Sequence, residues 1–356
     1  MKKILISTGG TGGHVVPAIN LYDHLKLDFD VKIYTDKRGA KYIPKDINKT
    51  IFDVKQTSEN KYFLPIKVIF LFFAFIKSVI HLSKNKFDIV ISTGGYMSLP
   101  LVLAAKVFKK KIFLFEPNSI IGRSNKFLLN FSSKIFCYDK NIQGINKKYI
   151  EKVIELSPIL NKCFYNKNNI NKVDDDILKI LIIGGSQASL FFSKNLKNEI
   201  IELASKYKIE VTQQLTKGYD INNYKEDYNK INIKSNLFIF EENLLCKNYN
   251  FDIAITRSGA ASLAELSHLN IPFIAIPFPY ATDNHQFINA KRYKDLNCCW
   301  ILEEKNFNSG DISKKIIDIM SNKTEYLEKK NNLKKINENI NWENISKKII
   351  KYLNEN

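Results

Sequence analysis

Apolar residues arrive in short solid runs, each ended by small or polar residues and followed by a stretch with helical spacing. Ile4-Leu5-Ile6 stops at Ser7-Thr8-Gly9-Gly10-Thr11-Gly12-Gly13-His14, and a helical pattern runs from about Pro17 to Leu27. Lys179-Ile-Leu-Ile-Ile-Gly184 begins the same way and enters Gly185-Ser186-Gln187-Ala188. A run without alternation predicts a strand buried on both faces, as in a parallel sheet.

A second pair of segments matches more closely. Phe87-Asp-Ile-Val-Ile-Ser-Thr-Gly94 corresponds to Phe251-Asp-Ile-Ala-Ile-Thr256, which leads into Arg257-Ser258-Gly259. Each precedes a small-residue helix and a strand closed by proline, Ile112 to Pro117 and Phe273 to Pro277. A repeat this long predicts a duplicated domain rather than a solenoid. The expected fold is α/β, with two Rossmann-like, doubly wound domains facing a cleft. The expected domains are residues 1–160 and 161–339, with a C-terminal helix at about 340–356 packing back on the first.

Composition changes the picture in one respect. The 356 residues carry 54 Lys and Arg against 36 Asp and Glu, and only four are Arg: Arg38, Arg123, Arg257 and Arg292. Much of the lysine excess accompanies abundant Ile and Asn and reads as coding bias. Bias acts on both halves, yet residues 1–160 hold 26 basic and 12 acidic residues, a net +14, and the rest only +4. That asymmetry predicts a negatively charged partner for the first half. The run Val68 to Ile76, flanked by Lys67 and Lys77, is too short to cross a membrane. It suits either a buried helix or an interfacial one, with Val68, Phe70, Phe72, Phe73 and Phe75 meeting lipid and the lysines meeting headgroups. Cys137, Cys163, Cys246, Cys298 and Cys299 match neither a metal knuckle nor a disulfide framework. The odd cysteine count, and an N-terminus that runs straight into a strand, predict a reducing, cytoplasmic location.

The glycine loops carry the chemistry. Four glycines in five positions, Gly9 to Gly13, let backbone amides approach an anion in front of a helix. The spacing differs from a dinucleotide fingerprint, and Asp36 is a weak candidate for its acidic partner. His14 stands where that helix begins, a place suited to a general base or simply to capping the loop. Gly94-Gly95-Tyr96 either holds a phosphate or turns the chain. Glu116, at the end of the next strand, is a second catalytic candidate. In the other half, Gly184-Gly185-Ser186 is a diphosphate loop candidate. Arg257 to Glu265 joins a scarce Arg placed to neutralise a diphosphate, a helix start and a carboxylate able to accept both hydroxyls of a ribose. Asp283-Asn284-His285-Gln286 offers amides for sugar hydroxyls. No ligand spacing around His285 suggests a metal.

Gly-Gly-Thr-Gly-Gly-His, Gly94-Gly95-Tyr96, Gly184-Gly185-Ser186-Gln187, Arg257-Ser258-Gly259 and Asp283-Asn284-His285-Gln286 occur in the order found in the MurG family. The chain resembles these UDP-GlcNAc transferases of glycosyltransferase family 28 over about residues 2–305. The resemblance implies a GT-B fold and an inverting hexosyltransferase needing no cofactor. It would move GlcNAc from UDP-GlcNAc to undecaprenyl-diphospho-MurNAc-pentapeptide (lipid I), making lipid II for peptidoglycan. The partners it implies are UDP-GlcNAc, the polyprenyl-diphosphate acceptor and the anionic cytoplasmic face of the inner membrane, with no nucleic acid. Matched residue by residue, Thr11, Gly12, Gly13 and Asn118 would lie near the donor sugar. Ser186 would meet the diphosphate. Ala260, Ala261, Ser262, Leu263, Ala264 and Glu265 would hold the nucleotide, and Gln286 the GlcNAc. Gly13, Gly94, Gly95 and Tyr96 would receive the acceptor diphosphate.

Three departures stand out. Phe115-Glu116-Pro117-Asn118 replaces His-Glu-Gln-Asn. Leu160 replaces the family's Arg at the domain junction, with Lys162 the nearest cation. Ala188 replaces a Gly. Another lipid glycosyltransferase with a diacylglycerol acceptor, a UDP-GlcNAc 2-epimerase, and a non-catalytic nucleotide-sugar binder remain open as alternatives.

Overall fold

The computed structural model describes residues 1–52, 64–165, 176–185, 188–241, 244–247 and 250–355, with side chains in the helix Leu64–Lys84 described from Ile69 onward. The chain forms two compact units: residues 1–162 with 340–356, and residues 163–339.

Unit 1 contains β1 (Lys3–Ser7), α1 (Gly12–Leu25), β2 (Asp30–Thr35), β3 (Lys49–Ile51), α2 (Leu64–Lys84), β4 (Ile89–Ser92), α3 (Ser98–Val107), β5 (Lys111–Glu116), α4 (Arg123–Leu128), β6 (Lys134–Cys137) and β7 (Val153–Glu155). All its strands are parallel, in the order β3-β2-β1-β4-β5-β6-β7. Beyond their first residues, exposed Lys3 and half-buried Lys111, the central strands are buried throughout, as in a parallel sheet covered on both faces.

Unit 2 repeats the plan with β8 (Ile177–Ile183), α5 (Leu190–Leu203), β9 (Lys208–Gln214), α6 (Ile221–Asn229), β10 (Lys234–Phe238), α7 (Leu244–Lys247), β11 (Ile253–Thr256), α8 (Ala260–His268), β12 (Phe273–Ala275), α9 (His285–Asp295), β13 (Cys299–Ile301), α10 (Asp311–Ser321) and α11 (Lys323–Asn337). Its sheet is parallel, ordered β10-β9-β8-β11-β12-β13.

In both sheets the order reverses beside the first strand. Successive strands run outward from β1 through β2 to β3, and then the chain returns to add β4 on β1's other side. The same happens at β8, between β9 and β11. Loops leaving the carboxyl ends of β1 and β4, and of β8 and β11, therefore lie at the reversal point, the usual ligand position in such sheets. The two glycine-loop pairs of the sequence occupy these two reversal points.

The last helix, α12 (Trp342–Asn354), belongs to unit 1. Ile345, Ile349 and Leu353 form one buried stripe at helical spacing. The helix is anchored on α1, where the His24 ring stacks on Trp342 with centroids 3.6 Å apart and lies 2.7 Å from Ser346 Oγ. Burial pushes His24 down to about 3, so the imidazole stacks in its neutral form.

α2 decides between the two readings of the Val68–Ile76 run. Ala74, Ser78 and Leu82 face the core, and Phe75 and Val79 pack against it. The opposite face exposes Ile69, Phe72, Phe73, Ile76 and Ile80, with Phe73 63% accessible. The helix is thus neither wholly buried nor spanning. No helix among the described residues is long and apolar enough to cross a membrane. Of the expected lipid-facing residues, Phe72 and Phe73 are exposed, Phe70 is half-buried, and Phe75 turns inward. The side chains of Lys67 and Val68 lie outside the described residues.

The cysteines require a correction. Cys163 and Cys246, 83 residues apart, are joined as a disulfide with their Cα atoms 5.7 Å apart. Sequence spacing hid the pair because the fold of unit 2, and not the local chain, brings them together.

Candidate active site

Unit 1 builds its candidate site around His14. After β1 the chain turns through Gly10, whose φ of +85° falls where only glycine is relaxed. Asp36, at the end of β2, fixes this turn: its Oδ1 accepts from the amides of Gly10 (3.0 Å) and Gly39 (2.7 Å). The acidic residue considered for a ribose is therefore a loop clamp. Thr11 caps α1 without a side-chain hydrogen bond, so the first-turn amides keep no side-chain partner. Thr11 and Gly13 are exposed and Gly12 is buried.

The β4 loop closes on the β1 loop. Gly94 and Gly95 take φ of +89° and +86°. A Cβ on Gly94 would stand 3.2 Å from the His14 ring, and one on Gly95 would stand 3.1 Å from the Gly9 carbonyl. His14 Nδ1 lies 2.9 Å from the Thr93 carbonyl, which can only accept, so Nδ1 carries the proton. Thr93 Oγ1 in turn donates to the His14 carbonyl at 3.0 Å. Nε2 has no partner among the described residues. A base oriented through its other nitrogen is the arrangement that proton abstraction needs. Thr93 went unnoticed in the sequence because its contribution is a backbone carbonyl. The Tyr96 hydroxyl is buried and has no hydrogen-bond partner among the described residues, and desolvation raises its pKa.

Glu116 does not join His14 as a catalytic group. It is buried, and its carboxylate accepts from the Asn118 amide (3.2 Å), Asn118 Nδ2 (2.8 Å), the Gly122 amide (2.8 Å) and Asn125 Nδ2 (3.1 Å). Four donors occupy both oxygens, leaving nothing for a substrate proton. Glu116 positions the loop that presents Asn118. Phe115, where the family has His, is fully buried and packs edge-on to Tyr138. Leu160 is buried as well and offers no charge. Lys162 lies 5.9 Å from the centre of the Trp342 ring.

Unit 2 presents backbone. Gly185 turns at φ +81°, and a Cβ there would meet nothing within 4 Å among the described residues; the same is true of Gly259, the N-cap of α8. Gly184 donates its amide to Gln214 Oε1 at 3.0 Å, which ties the loop to β9. Ser186 lies outside the described residues. α8 starts with no side-chain cap hydrogen bond, so the first-turn amides of Ala260, Ala261 and Ser262 stand uncapped at the positive end of the helix dipole. Leu263 and Ala264 are buried and seat the helix.

Glu265 lies one turn further along. It is half-buried, has no hydrogen-bond or ion-pair partner among the described residues, and is pushed up to about 7 by desolvation. Gln286 is reached through two consecutive left-handed residues, Asp283 and Asn284, a strained turn of the kind that clusters at binding sites. Its Oε1 accepts from the amides of Ser258 (3.1 Å) and Phe278 (3.0 Å), which leaves Nε2 to donate elsewhere. Asn289 Nδ2 holds the Ser258 carbonyl at 3.1 Å.

Arg257 departs from the expectation of a guanidinium free to neutralise a diphosphate. It is 6% exposed. It pairs with Glu304 at 2.5 Å and donates to Ser189 Oγ and to the carbonyls of Ile276 and Pro277. Its charge is already balanced, and it fastens the β11 loop to the N-cap of α5 and the end of β12. No group of three or more His, Cys, Asp or Glu comes together to hold a metal among the described residues.

Comparison with known proteins matches this architecture. The N-terminal domain of glycosyltransferase family 28 matches residues 4–137 and its C-terminal domain matches residues 179–342. The chain belongs to glycosyltransferase family 28 and is a GT-B glycosyltransferase. It is 46% identical, over all of its length and 99% of its relative's, to the UDP-N-acetylglucosamine--N-acetylmuramyl-(pentapeptide) pyrophosphoryl-undecaprenol N-acetylglucosamine transferase of Pelagibacter ubique. The protein of the same name from Rickettsia canadensis is 34% identical over 90% of this chain and 92% of that one. Among solved structures, Acinetobacter baumannii MurG superposes with a TM-score of 0.76 at 19% identity, covering 99% of both chains.

Proposed function

We propose that the protein transfers GlcNAc from UDP-GlcNAc to undecaprenyl-diphospho-MurNAc-pentapeptide, with inversion at the anomeric carbon. The observation that carries the chemistry is the His14 imidazole, oriented by the Thr93 carbonyl and open at Nε2 beside two glycine turns. The names of the Pelagibacter and Rickettsia relatives support the choice of donor and acceptor.

Nε2 of His14 takes the proton of the acceptor hydroxyl as its oxygen attacks the anomeric carbon. The bond to UDP breaks on the opposite face, and its electron pair leaves with the β-phosphate oxygen. The uncapped amides of Ala260 to Ser262 and the α8 dipole stabilise that charge. Glu265 accepts the two ribose hydroxyls, and Gln286 Nε2 donates to the sugar. The Gly13 and Gly94-Gly95-Tyr96 loops receive the acceptor diphosphate.

The exposed apolar face of α2 and the basic excess of residues 1–160 support peripheral binding to an anionic membrane on its cytoplasmic side. A transfer assay with labelled UDP-GlcNAc and lipid I tests the reaction. Transfer to diacylglycerol instead, or release of ManNAc without an acceptor, would replace it. Flotation with vesicles containing phosphatidylglycerol tests the membrane reading, which fails if Phe72→Asp with Phe73→Asp floats as well as the unmodified chain.

A further inference from the structure

The Cys163–Cys246 pair serves neither the reaction nor the core of unit 2. Cys163 sits on the single 3-10 turn Lys162–Tyr165, at the first residue of unit 2. That turn is seated by buried Phe164 and by Tyr165, whose ring lies 4.9 Å from His268 at the end of α8. Cys246 is on α7, anchored by buried Leu245. Both cysteines are only partly buried, whereas Cys137, Cys298 and Cys299 are sealed inside. Desolvation pushes the Cys137 thiol up, Cys298 to about 11 and Cys299 to about 12, which keeps those thiols protonated and inert. The reactive chemistry is confined to one pair whose Cα separation of 5.7 Å fits a disulfide.

The segment that the bond would hold leads to the nucleotide loop. Gln214 Nε2 donates to the Ile239 carbonyl just past β10, and its Oε1 receives the Gly184 amide.

We propose that Cys163 and Cys246 form a reversible thiol–disulfide site, oxidised by low-molecular-weight disulfides of the glutathione class, that pins α7 to the first residue of unit 2. One protein thiolate attacks a sulfur of oxidised glutathione, forming a mixed disulfide and releasing one glutathione thiolate. The second protein thiolate attacks the protein-side sulfur of that mixed disulfide and releases the other. Two protein thiols lose two electrons and two protons, and one glutathione disulfide becomes two thiols. The proposal is independent of the sugar donor and acceptor assigned above.

The full chain, equilibrated across reduced-to-oxidised glutathione ratios and then denatured, should pass from five titratable thiols to three. Its mass should fall by two hydrogens with no glutathione attached, and peptide mapping should recover the 163–246 link. Closing a loop of this length should raise the melting temperature of unit 2 by roughly 10 °C over the reduced form. Cys246→Ser, and separately Cys163→Ala, should lose both the link and the shift. Five free thiols at every ratio, a link between other cysteines, or an oxidised form melting with the reduced one would each overturn the proposal.

Discussion

The two glycine-lined reversal points are built alike and used differently. In unit 1 the glycines are crowded: a Cβ on Gly94 would press the His14 ring, and one on Gly95 the Gly9 carbonyl. Glycine there lets two loops and an imidazole share a space that side chains would fill. In unit 2, a Cβ on Gly184 would be tighter still, within 2.4 Å of the Ala188 and Ser189 backbone, but Gly185 and Gly259 face nothing within 4 Å among the described residues. Glycine there keeps backbone amides uncovered for a ligand. On the proposed reading, Gly94 and Gly95 hold the base in place, whereas Gly185 and Gly259 offer bare peptide to a phosphate.

The largest expected effect falls on the crowded side. His14→Ala should lower kcat by roughly 10²- to 10⁴-fold, the usual contribution of a positioned base. UDP affinity should stay within about twofold, because no donor contact in unit 2 is touched. Steady-state transfer beside UDP titration calorimetry separates the two, and full turnover in the variant removes His14 as base.

The glycines themselves break the comparison most directly. Gly94→Ala forces a side chain into a φ of +89° and against the imidazole. It should cost about 1–3 kcal/mol of stability and much of kcat. Gly259→Ala adds a methyl to open space at φ −65°. It should leave stability within about 0.5 kcal/mol and weaken UDP binding only. Chemical denaturation with UDP titration reads both. Equal stability losses would dissolve the distinction between crowded and open turns.

Much of this was legible in the chain because it is local. Strand runs, glycine turns and helix starts lie within ten residues of one another, so Gly9 to His14 and Arg257 to Glu265 announced both loops. What stayed hidden joins distant positions. The pairing of Arg257 with Glu304 turned an expected phosphate ligand into a brace. Three of the four donors around Glu116 come from a loop whose curl no periodicity encodes, and the fourth from Asn125 on α4. Asp36 was visible at its strand end, but only the Gly10 and Gly39 amides show what it does.

On the open side, Glu265 gives a pH signature. Its carboxyl is raised to about 7, so the acid form persists to near neutrality. Ribose hydroxyls donate to a carboxylate, so UDP affinity should climb as pH rises through about 7. The gain between pH 6 and pH 8 should approach tenfold, the factor a single titration supplies. Glu265→Gln should bind weakly and lose this slope. For stability the sign is opposite: ionising a desolvated carboxylate is unfavourable, so this group costs stability as pH rises from the unfolded value near 4.5 towards 7. A flat affinity profile in the unmodified protein would remove Glu265 from the nucleotide site.

The smallest effect tests whether the open turns carry strain. In unit 1 every left-handed position of the two loops is glycine, but the unit 2 turn places Ala188 at φ +57°. The loop has little room to relax, because a Cβ on Gly184 would come within 2.4 Å of the Ala188 carbonyl carbon and the Ser189 nitrogen. An L-residue held left-handed costs about 1–2 kcal/mol. Glycine removes that cost but adds about 0.4–1 kcal/mol of unfolded-chain entropy. Ala188→Gly should therefore stabilise unit 2 by roughly 0.5–1 kcal/mol, or about 2 °C in melting temperature. A fall in melting temperature would mean that the alanine turn is already relaxed, and that the open side of the comparison holds no stored strain.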